Sequence, residues 1–131
     1  MRRLIVAAFL SLAAVGAARA DDVYLFDLLK DPAYKAGWTA MLNGARRVEP
    51  WIAALDGPAT PAVRVTVAGE TYLFTTLCKA HDCGDNMLNV LFAPGGAPAY
   101  ALLVVAGAEP RWLGKPSPAV RKALRRAAEG R

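Results

Sequence analysis

The residues best equipped for chemistry lie in one short run, Cys78-Lys79-Ala80-His81-Asp82-Cys83-Gly84, which gathers both cysteines and the only histidine of the chain. Two thiols, an imidazole and a carboxylate so close together could in principle ligate a metal, exchange electrons or transfer protons. Spacing argues against each. Zinc sites draw short ligand pairs from two separate segments, and no second cluster exists here to complete one. Redox dithiols usually place two residues between the cysteines in a βαβ setting, whereas four intervene here. General acid–base catalysis needs a nucleophile or second acid facing the imidazole, and adjacent residues on a tight loop usually point apart. The sequence also lacks a Gly-x-Ser-x-Gly elbow and a phosphate-binding loop. Neither an enzyme, nor a cofactor, nor a metal site is expected. The residues alone leave open whether His81 acts on anything or sits idle in a structural staple.

The state of the thiols depends on the compartment. Arg2 and Arg3 precede an apolar run from Leu4 to Ala14, and Ala18-Arg19-Ala20 supplies a small-x-small cleavage site. Residues 1–20 therefore read as a secretory signal cleaved after Ala20, leaving 21–131 as one domain in the periplasm. The apolar run is too short for a retained anchor, which needs about 20 residues. In an oxidising compartment Cys78 and Cys83 are expected to form a disulfide. Closing so small a ring is worth roughly 2 kcal/mol in the chain-entropy model, so its larger effect is to restrict the four residues between the sulfurs.

The signal removes three of the 16 basic residues and none of the 11 acids, so the net charge falls from +5 to +2. A nucleic-acid binder would keep a strong basic patch in its folded part, and no later stretch is apolar enough to span a bilayer. Neither nucleic acid nor, after cleavage, a membrane is expected as a partner.

The elements that must position the cysteine run are legible from periodicity. Asp31-Pro32 is a cap-plus-proline helix start, followed by Tyr34, Trp38, Met41 and Leu42 at helical spacing and Gly44 as a stop. Val23 to Lys30 reads as a helical turn ahead of it, and Pro50-Trp51-Ile52 as a buried turn. Trp38 and Trp51 are read as core. From Ala62 the period becomes two: Val63, Val65 and Val67 alternate with Arg64 and Thr66. Gly69-Glu70 is read as a hairpin turn into a strand from Thr71 to Leu77 that runs into Cys78. Met87 to Ala93 and Ala99 to Val105 read as strands around a Pro94–Pro98 turn, and Glu109 to Leu113 as an edge strand. Ser117-Pro118 opens a last helix, with Val120 and Leu124 on one face and Arg121, Lys122, Arg125 and Arg126 on the other. That basic face is read as a solvated one, its cations placed favourably near the helix C-terminus, in preference to a site for an acidic partner or a membrane surface. The sum is an α+β domain with a single modest core: a central antiparallel sheet of four to five strands flanked by helices, with a protruding disulfide-closed loop.

Cys-Lys-Ala-His-Asp-Cys-Gly resembles the Cys-Lys-Pro-His-Asp-Cys loop of the inhibitor of vertebrate lysozyme (Ivy) family. Asp21-Asp22, Leu28-Leu29-Lys30, Pro50-Trp51-Ile52, Ala59-Thr60-Pro61-Ala62, Val65-Thr66-Val67, Gly69-Glu70-Thr71-Tyr72 and Trp112-Leu113 extend the likeness over most of 21–131. The resemblance implies an inhibitor of c-type lysozyme whose loop enters the substrate cleft. It implies that His81 meets the catalytic carboxylates, Asp82 adds polar contacts, Lys79 and Ala80 shape the approach, and Cys78–Cys83 holds the loop. It also admits a lytic transglycosylase as the target of the same loop, and a homodimer, since some members of the family pair. Ala80 departs from the family's usual proline.

Overall fold

The computed structural model describes residues 22–130; the signal read at 1–20 lies outside the described residues. Five strands, β1 (Val63–Val67), β2 (Glu70–Cys78), β3 (Asn86–Phe92), β4 (Ala99–Val105) and β5 (Arg111–Leu113), form one antiparallel sheet in sequential order. Helices α1 (Leu25–Leu28), α2 (Pro32–Asn43) and α3 (Pro50–Ala53) precede the sheet, and α4 (Pro118–Glu129) follows it. The α+β architecture read from the sequence is the one found.

Side chains alternate between the faces of a strand, and here both faces are covered. Leu77, Leu88, Val90, Phe92, Ala101 and Leu103 pack with Leu25, Trp38, Met41, Trp51 and Ile52 of the N-terminal helices. Val67, Tyr72, Phe74, Leu91 and Ala93 pack with Val120 and Leu124 of α4. The expected single core is thus two clusters, one on each side of the sheet. Trp38 and Trp51 are buried within the first.

Both long helices begin as their caps dictate. The Asp31 carboxylate accepts the Ala33 N–H at 2.9 Å, the Ser117 hydroxyl accepts the Val120 N–H at 3.3 Å, and a proline opens each helix. Two local expectations need correction. Pro50-Trp51-Ile52 is the start of a short helix rather than a turn. The β1–β2 hairpin turns on Ala68-Gly69, one residue earlier than Gly69-Glu70, because Val67 pairs with Glu70. Both turn residues have positive φ, 49° and 82°, as a two-residue turn matching strand twist requires. Pro110 sits just ahead of edge strand β5, where it withdraws no hydrogen bond from the sheet.

Candidate functional site

The cysteine run caps the β2–β3 hairpin. The pairing ends with Cys78 opposite Met87, and one further backbone bond, Lys79 N–H to Asn86 O at 3.1 Å, carries the ladder to the loop's base. The disulfide joins Cys78 to Cys83 with the Cα atoms 4.9 Å apart. The expected bond is present, and neither thiol is left to ligate or to exchange.

Two successive turns share Asp82. Its N–H donates to Lys79 O at 3.0 Å, closing a four-residue turn around Ala80 and His81, and its carbonyl accepts from Asn86 N–H at 3.1 Å. Its carboxylate accepts from the Asn86 side-chain amide at 2.8 Å. Asp82 is therefore half-buried and spent largely on the loop itself. His81 occupies the third position of the first turn with φ of 62°, a left-handed conformation that histidine, asparagine and aspartate enter more readily than most residues. The imidazole is exposed and makes no hydrogen bond or ion pair with the described residues. Lys79 is exposed beside it, while Ala80 and Cys83 are half-buried.

The base of the loop is clamped from the side opposite β3. Pro58 O accepts the Cys78 N–H at 3.0 Å, and Ala59 bridges Leu77. Thr60 fastens the strap: its hydroxyl accepts the Thr76 N–H at 3.1 Å, and its carbonyl accepts the Thr75 hydroxyl at 2.7 Å. Gly57 passes so close that a Cβ there would lie 1.8 Å from Cys78 O. On the β4 side the Ala106 N–H donates to Asp85 O at 2.7 Å.

The structure brings Cys78, Lys79, Ala80, His81, Asp82 and Cys83 together in one loop at the end of the β2–β3 hairpin, with Lys79 and His81 its exposed members. Sequence reasoning missed the residues that hold the tip: Asn86, the Gly57–Thr60 strap and Asp85. The signal for Asn86 was present, since an amide four residues past Asp82 can close the loop from its far side. A separate apolar groove of about 590 Å³ between the N-terminal helices is lined by Phe26, Leu29, Trp38, Leu42, Val48 and Leu55. Lys30, Lys35, Thr39 and Asn43 also line it, and the lining holds no acid and no histidine.

Comparison with known proteins follows the same lines. The family described as inhibitor of vertebrate lysozyme (Ivy) matches residues 33–130. An inhibitor of vertebrate lysozyme from Pseudomonas aeruginosa is 37% identical over 139 residues, covering 91% of this chain and 91% of that protein. An uncharacterized protein of the same organism is 34% identical over 137 residues, 95% of this chain and 88% of its own length. The inhibitor of vertebrate lysozyme of Escherichia coli K12 is 34% identical over 80 residues, 61% of this chain and 50% of that protein.

Proposed function

The chain belongs to the inhibitor of vertebrate lysozyme family, and from that membership we propose that it is a periplasmic inhibitor of c-type lysozyme that seats the Cys78–Cys83 loop in the enzyme's substrate cleft. The observation that carries the reading is His81: an exposed imidazole without a partner among the described residues, held at the tip of a covalently closed and doubly clamped turn.

A lysozyme cleft holds two carboxylates in different environments, one of them protonated more readily because its surroundings are apolar. An imidazolium set between them forms charge-assisted hydrogen bonds and fills the space a sugar ring needs. Because the disulfide, the Asp82–Asn86 bonds and the strap fix the loop beforehand, little ordering entropy is lost when it docks. Lys79 and Ala80 flank the imidazole and shape its approach. Asp82 acts chiefly by keeping the turn closed, with its outer edge available for a polar contact.

The test is clearing of a cell-wall suspension by a c-type lysozyme, and in parallel by a lytic transglycosylase, with the purified chain from Asp21 added. Inhibition of the lysozyme is expected. Inhibition of the transglycosylase alone would move the target, and inhibition of neither would leave the loop a structural staple.

A further inference from the structure

Charge is segregated along this chain. From Lys115 to the C-terminus there are six cations and one acid, against seven cations and ten acids from residue 21 to Gly114. The +2 of the chain past the signal is thus a segment of +5 on a body of −3. Asymmetry of that kind points to a charged partner.

Helix α4 displays the cations outward. Val120 and Leu124 are buried, and Ala123 and Ala127 pack with them against the sheet. At about 100° per residue, Arg121 and Arg125 form one row on the opposite side and Lys122 and Arg126 a second row beside it. All four are exposed, and no ion pair among the described residues involves any of them.

Two of these cations are held in place. The guanidinium carbons of Arg121 and Arg125 lie 5.1 and 5.2 Å from the centroid of one ring, Trp112, and Arg121 Nε donates to Pro116 O at 3.3 Å. Stacking on an aromatic face fixes a guanidinium while leaving N–H edges free to fork a phosphate. Two like charges on one ring also repel, which an anion lying across both relieves.

Against the solvated face and the absence of a membrane partner expected from the sequence, we propose that α4 is a docking surface for an anionic phospholipid membrane, bound electrostatically, with the disulfide loop clear of the lipid. Two side-by-side rows of cations suit a plane of headgroups, whereas a single polymer strand follows one row. Trp112 is capped by guanidinia and cannot stack a base. The apolar side of α4 is consumed by the sheet, so the helix lies on the surface without inserting. It packs over Val67 and Tyr72, at the end of β2 remote from Cys78. The six-residue step from Tyr72 to Cys78 places the loop about 20 Å further along the strand.

The experiment uses the chain from Asp21, which contains every described element, in co-sedimentation with phosphatidylcholine vesicles with and without phosphatidylglycerol. Binding is expected only with phosphatidylglycerol and is released by salt as screening shortens the reach of the field. Each basic residue near an anionic surface strengthens binding about fivefold, so a Lys122→Gln/Arg126→Gln variant binds about 30-fold more weakly with an unchanged Tm. Lys35→Gln, on α2 across the sheet, binds like the parent. The proposal is overturned by failure to bind phosphatidylglycerol vesicles, by equal binding to neutral ones, or by a double variant that binds like the parent. Release by inorganic phosphate matched to the lipid phosphate also overturns it, since that result assigns a site for a single phosphate.

Discussion

Ala80→Pro tests the idea that the loop acts by being fixed before it meets its target. Ala80 is the second residue of the turn closed by Asp82 N–H to Lys79 O at 3.0 Å, and His81 follows with φ of 62°. A turn with positive φ at its third residue favours proline at its second. The Ala80 N–H makes no hydrogen bond within the described residues, so proline removes none. Lys79 ahead of it continues the ladder of β2, the extended conformation a residue before proline prefers. Gly57 lacks a Cβ where it passes Ala80 N, where an added one would lie 3.2 Å away, so no side chain of residue 57 stands against the ring. Restricting a compatible position stabilises by about 0.4–1 kcal/mol, chiefly by narrowing the unconstrained ensemble. If the benefit falls on the loop, the inhibition constant against a c-type lysozyme drops about two- to fivefold, and Tm is unchanged or slightly higher. Weaker inhibition at an unchanged Tm would show that the loop must flex to dock, which refutes the reasoning.

Other expectations follow from the same contacts. Gly57→Ala sets a Cβ 1.8 Å from the Cys78 carbonyl at φ of 144°, and since both groups are backbone neither can swing aside. Overpacking and strain together should cost about 2–5 kcal/mol in a denaturant titration; Gly84→Ala, which meets nothing within 4 Å, is the control, and equal midpoints for the two would refute the clamp. Replacing Cys78 and Cys83 together by alanine should cost about 2 kcal/mol of stability. It should weaken inhibition by at least about tenfold, because residues 79–82 must then be ordered on binding at about 1 kcal/mol or more each. Asp27 accepts the Tyr24 N–H and the Lys30 ammonium, which hold its carboxyl below the ordinary 3.8. Its contribution is present above that value and is lost as pH falls through the lowered one. Tm of Asp27→Asn should accordingly decline less in strong acid than Tm of the parent, and parallel declines would count against this role.

Local signals were legible wherever one residue dictates its neighbourhood. Asp31-Pro32 and Ser117-Pro118 mark both long helices, the alternation of Val63, Val65 and Val67 marks β1, the β-branched and aromatic run from Thr71 to Leu77 marks β2, and two cysteines five positions apart mark the ring. What escaped reading depends on register and on contacts between distant segments. The β1–β2 turn lies one residue ahead of the Gly69-Glu70 that glycine alone suggests, because Ala68 enters positive φ ahead of Gly69. The strap at Gly57–Thr60 looks like linker until Thr60 is seen to bind Thr75 and Thr76, about fifteen residues later. Asp82 reads as an outward-facing acid until Asn86 is placed across from it. The second core cluster is not legible from the sequence, because periodicity gives α4 an apolar face without naming the sheet surface it covers.

The most direct test is inhibition of a c-type lysozyme by His81→Asn and His81→Ala. Asparagine tolerates the positive φ at this position and removes the cationic imidazole, so folding and Tm should stay close to the parent's. Stripping one partner from a buried charge pair costs about 3–5 kcal/mol, so both variants should inhibit at least about a hundredfold more weakly. Parental potency in a correctly folded His81→Asn protein would contradict the account, because the imidazole would then not be what the lysozyme cleft receives.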